Sequence, residues 1–398
     1  MSLVFNLGVL GFFKYFNFFI DNWIYAWSTL GVHMHKSTLQ IILPVGISFY
    51  TFQTLSYSID VYRKKIPPTK DMVAFASFVS FFPQLVAGPI ERATNLLPQF
   101  YKKRVFNYDL AISGVKLILW GMFKKVVIAD NCAIYVNEIF DTYQGQSSAT
   151  LILGAICFAF QIYGDFSGYS DIAIGTSRLF GFKLMRNFNY PYFSRDIAEF
   201  WRRWHISLST WFRDYLYIPL GGSKGSRWQK IRNVFVIFLV SGFWHGANWT
   251  FVVWGGLNAL FFLPLLLSDR NRKYINTVAE DSMLPSLKEF LQMLFTFSIT
   301  TLAWIFFRAN NLFEAKQYIY QMLTNGNILA IDYLGGIERY SVEIMFLVFV
   351  FCFFEWFNRD KESPFQGKYS NINEIIIVIM LLVFGQYSDY SSFIYFQF

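Results

Sequence analysis

The chain is read as an all-α, polytopic integral membrane protein, and three observations predict that class. Of its 398 residues 55% are hydrophobic, 21% aromatic and 15% charged, whereas a soluble domain carries roughly a quarter charged residues. Apolar stretches of about 17 to 25 residues, long enough to span a roughly 30 Å hydrocarbon core, recur from one end of the chain to the other. Loops of opposite charge character separate them, as the positive-inside bias requires.

In order, the predicted spans are about 3 to 20, 39 to 59, 108 to 128, 149 to 176, 233 to 247, 249 to 267, 287 to 307, 342 to 357 and 374 to 387. The first has Lys14 in the middle of its apolar run and no small-residue cleavage signature, so it reads as a retained membrane segment. The stretch 71 to 98 is interrupted by Pro83, Gly88, Pro89 and Pro98 and flanked by Arg63-Lys64-Lys65 and Lys102-Lys103-Arg104. It is predicted to leave and re-enter the same positive side, broken backbone at depth being tolerated only against protein or a cavity. The connection Asp130 to Ser148 has three acidic residues and no Lys or Arg, and is placed outside; Arg178 to Arg232 is dense in both and is placed inside.

Composition also excludes function classes. The net charge of +8 reads as loop bias, and the 84 aromatic side chains (48 Phe, 24 Tyr, 12 Trp) suit lipid-facing surfaces, so nucleic-acid binding is not expected. Cys132, Cys157 and Cys352 lack metal-ligand spacing and indicate neither a zinc site nor a disulfide framework. His33 and His35 lack further ligands nearby, and no metal is expected. The run Pro219-Leu220-Gly221-Gly222-Ser223-Lys224-Gly225 lacks a preceding strand and the Gly-Lys-Ser/Thr ending of a phosphate loop.

Chemistry concentrates in two blocks. In Val240-Ser241-Gly242-Phe243-Trp244-His245-Gly246-Ala247-Asn248-Trp249 one histidine stands between apolar stretches, and an ionisable group at membrane depth needs a task or a partner. A helix leading in from Arg232 carries His245 about 20 Å into the membrane, and the next span returns to the basic loop Asp269-Arg270-Asn271-Arg272-Lys273. The second block runs from Phe200 to Tyr215. At helical spacing Trp201, Trp204, Leu208, Trp211 and Phe212 share one face and Arg202, Arg203 and Arg213 lie elsewhere, predicting one interfacial amphipathic helix that carries His205. The plainer readings are a hydrogen-bonded structural histidine at 245 and a simple headgroup anchor around 205. A Ser167-His-Asp165 triad is rejected, because Gly164-Asp165-Phe166-Ser167-Gly168 lacks the nucleophile-elbow pattern. Asp165 and Asp171 are expected to pair with arginines or backbone donors and shape a cavity wall.

Taken with Leu43 to Gln53, Phe82 to Ile90, Tyr163 to Asp171, Trp201 to Gly222 and the terminal Phe393 to Phe398, these blocks run nearly end to end. In that order the chain resembles the membrane-bound O-acyltransferase superfamily, in the branch that includes alginate O-acetyltransferases. The resemblance implies that fold, with about 9 to 11 transmembrane or re-entrant helices around a central tunnel, in one domain, 1–398. The catalytic core is placed at about 160 to 267. Members of the branch begin with further helices upstream of the Asn6 to Phe16 segment, so a domain lacking them is expected. His245 matches the family's near-invariant histidine and His205 its second, amphipathic-helix position. Burial would keep His245 neutral and able to take a proton from an attacking hydroxyl; His205 could orient the donor, relay the proton or polarise the carbonyl.

The implied activity is transfer of an acyl group, most simply acetyl from a cytoplasmic donor such as acetyl-CoA, for O-acetylation of an extracytoplasmic, alginate-like polysaccharide. No tightly bound cofactor is expected, a separate extracytoplasmic transferase is the implied partner, and the place is the bacterial cytoplasmic membrane. Alternatives within the superfamily are peptidoglycan O-acetylation and teichoic-acid D-alanylation. From other classes come a transporter using Asp165, Asp171 and His245 as an ion path, and a scaffold for a polysaccharide complex. A transporter predicts paired inverted repeats, and the sequence shows none. The enzyme reading requires both histidines to face one tunnel, His205 towards the inner side and His245 near the middle.

Overall fold

In the computed structural model, residues 1–35, 41, 44–332, 334, 335, 337, 341–367, 369–387 and 393 are described, and they form helices without any strand. Along the chain these are α1 (Ser2–Leu10), α2 (Phe16–Thr29), α3 (Ile47–Tyr62), α4 (Met72–Val79), α5 (Ala93–Phe100), α6 (Tyr108–Met122), α7 (Asp130–Asp141) and α8 (Ser148–Leu179). There follow α9 (Ile197–Arg203), α10 (Ile206–Phe212), α11 (Arg227–His245), α12 (Trp249–Leu267), α13 (Leu287–Arg308), α14 (Leu312–Thr324), α15 (Ser341–Phe357) and α16 (Ser370–Phe384). Leu43, Ile394 to Phe398 and the first residues of the expected 39–59 span lie largely outside the described residues.

Among the described residues four helices are long and apolar enough to cross a membrane: Ser2–Thr29, α8, α12 and α13. Large apolar side chains such as Phe19, Phe295, Phe349 and Leu382 stay on the outer surface, where a bilayer would cover them. The 71–98 stretch has the broken form expected of it, with α4 and α5 flanking thirteen non-helical residues from 80 to 92. Two expectations are corrected. The connection after Asp130 is helical as far as Asp141, because a π-helical stretch at Phe123–Ala129 carries α6 into α7 without a break. The expected amphipathic helix is cut in two at His205, between α9 and α10.

The central post is α8, 32 residues and therefore about 48 Å long. Small residues let α6 approach it closely, which is how helices pack where lipid removes the hydrophobic drive. A Cβ on Gly121 would lie 2.5 Å from the Gly168 carbonyl oxygen, and one on Gly114 2.6 Å from that of Gly175. The two pairs run in opposite directions along the chain, so the helices are antiparallel. Buried ion pairs bolt this contact: Lys124 Nζ is 2.9 Å from Asp171 and 3.8 Å from Glu355 of α15, while Tyr163 donates to Glu355 at 2.7 Å. Lys125 lies 2.8 Å from Asp165 and 2.9 Å from Asp130. Asp165 and Asp171 thus pair with lysines of the π-helical stretch, where arginines or backbone donors were expected. Ser167 sits mid-helix in α8, which is incompatible with a nucleophile elbow.

Candidate functional site

The hairpin α11–α12 positions His245. Its two helices touch through glycines: a Cβ on Gly242 would stand 2.2 Å from the Phe251 carbonyl oxygen, and one on Gly255 2.2 Å from that of Phe238. Asn248 caps α12 by accepting from the Thr250 amide at 3.1 Å. The last carbonyls of a helix lack intrahelical partners, and here the N-terminal segment supplies them. Lys14 Nζ donates to the carbonyls of Trp244 at 2.7 Å and His245 at 3.1 Å, and the Tyr15 hydroxyl donates to that of Phe243 at 3.0 Å. A second π-helical stretch, Gly11–Tyr15, presents Lys14, so the lone charge of the first apolar run is a helix cap. The His245 ring packs against Trp244, Trp254 and Phe307, with centroids 4.9, 5.2 and 5.3 Å away.

His205 is held differently. After α9 the backbone extends at Trp204 and turns left-handed at His205, φ 44° and ψ 56°, a conformation costing a residue other than glycine roughly 1–2 kcal/mol. Strained backbone of this kind clusters at functional sites. Asn187, fully buried, occupies the gap so opened. Its carbonyl accepts from the Ile206 amide at 2.8 Å, and its Oδ1 lies 3.0 Å from His205 Nδ1, 2.9 Å from Ser207 Oγ and 3.3 Å from the Ser207 amide nitrogen. Asn187 Nδ2 donates to Ser170 Oγ of α8 at 3.1 Å. Burial pushes the His205 imidazole, which lies outside the spanning helices, down to about 3, so it is neutral. The arginines before it are structural. Glu199 binds Arg203 at 2.9 Å and Arg195 at 3.0 Å, and Arg202 donates to the carbonyls of Asn271 and Tyr274 at 2.7 and 2.6 Å.

The two histidines, forty residues apart in sequence, meet the same indole. Trp244 is 6.4 Å from the His205 ring and 4.9 Å from that of His245. It stacks on Phe52 of α3 at 5.1 Å, and Phe52 in turn on Trp211 of α10 at 4.1 Å. Phe166 of α8 stands edge-on to His205 at 4.6 Å. Two buried ring atoms here, His205 Nε2 and Trp244 Nε1, have no hydrogen-bond partner among the described residues.

A cavity of about 200 Å³ opens between α10, α11 and α12. Arg213, Tyr217, Ser223, Asn271 and Arg272 are among its polar lining residues; Leu208 and Ser241, also in the lining, stand about one helical turn along the chain from His205 and His245. Further charge stands beside Arg213: Arg92 pairs with Asp214 at 2.5 Å, and the Arg63, Lys65 and Arg92 cations lie within 6 Å of the Tyr215 ring. Burial raises the Asp214 carboxyl, yet the Arg213 hydrogen bond and the Arg92 charge outweigh it and hold that group below its ordinary value. Among the described residues no group of three or more His, Cys, Asp or Glu gathers as metal ligands do; His33 and His35 are exposed.

Asn187 and Lys14 are the site residues that sequence reasoning did not single out as such. A lysine inside an apolar run is itself a signal. For Asn187 the signal is weaker, an Asn-Phe-Asn-Tyr-Pro run just before the aromatic block.

The profile of the membrane-bound O-acyltransferase family matches residues 63–307. The "probable alginate O-acetylase AlgI" of Pseudomonas aeruginosa is 38% identical over 94% of this chain and 70% of its own length. The protein of that name from Pseudomonas putida is 36% identical over 99% of the chain and 82% of its own length. A peptidoglycan O-acetyltransferase of Helicobacter pylori is 39% identical over 81% of the chain and 64% of its own length.

Proposed function

Because the chain belongs to the membrane-bound O-acyltransferase family, we propose that it moves acetyl from a cytoplasmic donor such as acetyl-CoA towards an extracytoplasmic polysaccharide, using His245 and His205. Membership makes it a membrane acyltransferase; the donor, the acceptor and the site residues are the proposal. The observation that carries it is the convergence of both histidines on Trp244. The core of about 160–267, within a single domain, supplies both rings, and their closeness to one indole supports a shared site.

The cavity between α10, α11 and α12 suits donor entry. Its arginines, Arg213 and Arg272, fit a phosphate-rich carrier, and its lining residues Leu208 and Ser241 lie on the helices that bear the two histidine positions. In the transfer the acceptor hydroxyl attacks the thioester carbonyl, the new C–O ester bond forms and the C–S bond breaks. His245 takes the hydroxyl proton and returns it to the departing sulfur. The setting is the bacterial inner membrane, with a separate extracytoplasmic transferase completing delivery. The names of the relatives point to alginate or peptidoglycan as acceptor.

The test is ester-linked acetate on extracted cell-surface polysaccharides from cells expressing wild type, His245→Ala or His205→Ala at matched membrane abundance. Loss of acetate in both variants is expected. Unchanged acetate in both overturns the reading.

A further inference from the structure

We propose that Asn187 is a positioning residue that holds His205 as the tautomer protonated on Nδ1, leaving a bare Nε2, so that His205 takes a hydrogen bond from the substrate and gives none to the acyl carbonyl. This rests on the functional reading above and adds a direction to a residue whose part in the transfer was open.

The tautomer depends on which end of the Asn187 amide faces the imidazole, and a carbonyl oxygen and an amine nitrogen have nearly the same shape. Here three neighbours decide it. The Ser207 backbone N–H is an obligate donor, and it points at the same amide atom, 3.3 Å away, that lies 3.0 Å from His205 Nδ1. Only oxygen can accept there. At the other end, 3.1 Å away, the Ser170 hydroxyl is a free rotor able to accept from Nδ2. The Ser207 hydroxyl lies 3.4 Å from Nδ1, but its one proton goes to the Asn187 oxygen at 2.9 Å, so with that oxygen opposite it the neutral imidazole carries its proton on Nδ1. A nitrogen in that position would set two donors, the Ser207 amide and an amine, against each other inside a buried site.

The consequence falls on Nε2. It is buried and lacks a partner among the described residues, in a ring whose centroid lies 4.6 Å from that of Phe166 and 6.4 Å from those of Phe188 and Trp244. A buried polar atom left unsatisfied by the protein calls for a ligand, and a lone pair calls for a donor, such as the hydroxyl that attacks the acyl carbonyl. The opposite character is available next door at Trp244 Nε1, a donor without a partner among the described residues. The left-handed backbone at His205 fits the same purpose. It turns the ring back onto Asn187 while α10 resumes from Ile206, whose amide is also tied to Asn187.

Two measurements on the full chain test this. Imidazole ¹⁵N spectra of histidine-labelled protein in detergent contain four residues, and His205 is assigned by subtraction with His205→Ala. A bare Nε2 is expected, and a protonated Nε2 overturns the proposal whatever the enzyme does. In cells, the acetate assay is run at matched abundance on Asn187→Leu, Asn187→Asp and the double variant His205→Ala/Asn187→Leu. Asn187→Leu is expected to lose about tenfold or more in acetate, of the order seen when orienting partners are removed. Asn187→Asp keeps an acceptor opposite Nδ1 and is expected to retain most activity. The double variant is expected to match His205→Ala alone, since the two act as one unit. Wild-type acetate in Asn187→Leu, or a double variant much weaker than His205→Ala, overturns the proposal. Unchanged acetate in His205→Ala and His245→Ala strikes the functional reading and leaves the spectral result standing.

Discussion

The two halves of the site hold their histidines by opposite means. His245 ends a regular helix, and it is placed by shape: a glycine-lined hairpin, an aromatic box of Trp244, Trp254 and Phe307, and a lysine cap on the final carbonyls. His205 sits in a break between two seven-residue helices, and it is placed by hydrogen bonds from Asn187 with help from Ser170 and Ser207. At His205 the polar contacts fix both where the ring lies and which nitrogen carries its proton, at the cost of a strained backbone. The difference teaches that the two residues answer to different kinds of substitution, and the expected effects can be ordered accordingly.

The largest effects remove the rings themselves. Loss of a proton-transferring side chain typically lowers a rate by about 10²–10⁴-fold, and His245→Ala is expected in that range, measured as the initial rate of polysaccharide acetylation at matched abundance. His205→Ala belongs at its lower end if the ring orients substrate without carrying the proton. Equal losses would make the division of labour between the halves untenable.

Next come the contacts that place His245 by shape. Gly242→Ala and Gly255→Ala each put a methyl group 2.2 Å from a backbone oxygen. Overpacking costs typically about 1–3 kcal/mol, so both are expected to lower the melting temperature of the detergent-solubilised protein. Gly221→Ala meets no neighbouring atom, though it strains a backbone at φ 102°, and serves as the comparison for a purely conformational cost. Stability unchanged in Gly242→Ala and Gly255→Ala would mean that the hairpin is looser than its contacts imply. Lys14→Met should follow, at about 1 kcal/mol, because a charged hydrogen-bond donor is removed from two carbonyls while a buried charge is relieved. Its signature is a loss of acetylation that tracks the His245 half and leaves the ¹⁵N spectrum of His205 as in wild type.

The shape-held half was far more legible in the sequence than the polar one. The expected span 249 to 267 coincides with α12, and 287 to 307 with α13 to within a residue, because long apolar runs bounded by polar caps leave the chain little choice. The His205 half defeated a periodicity argument. Trp201, Trp204, Leu208 and Trp211 do fall at helical spacing, yet the chain breaks at His205 because Asn187 hydrogen-bonds the resuming turn from outside the segment. No local propensity encodes that. The charged residues of the π-helical stretches failed in the same way: Lys14, Lys124 and Lys125 sit in apolar runs, and their partners, 34 to 231 residues away apart from Asp130, are set by tertiary contacts. The ion-pairing of Asp165 and Asp171 was expected, but with the wrong cation. Arg203, placed away from the apolar face, is buried against Glu199.

The smallest effect lies where the His205 half meets the cavity. Asp214 joins the π-helical stretch Arg213–Tyr217 to the broken 71–98 stretch through Arg92 at 2.5 Å, and its carboxyl is held below its ordinary value by Arg213 and Arg92 against the opposing effect of burial. A carboxyl depressed in the folded state adds stability that is fully present above the unfolded value, near 4, and is lost as pH falls through the folded one. Asp214→Asn is therefore expected to melt slightly below wild type at pH 7, by less than about 1 kcal/mol because the pair is partly exposed. The gap should close as pH drops below about 4. Salt should narrow it too, whereas the Gly242→Ala deficit, being steric, should respond to neither. A gap that persists at low pH and high salt would show that Asp214 acts through packing as well, and that the hydrogen-bonded half of the site is less distinct from the shape-held half than its contacts indicate.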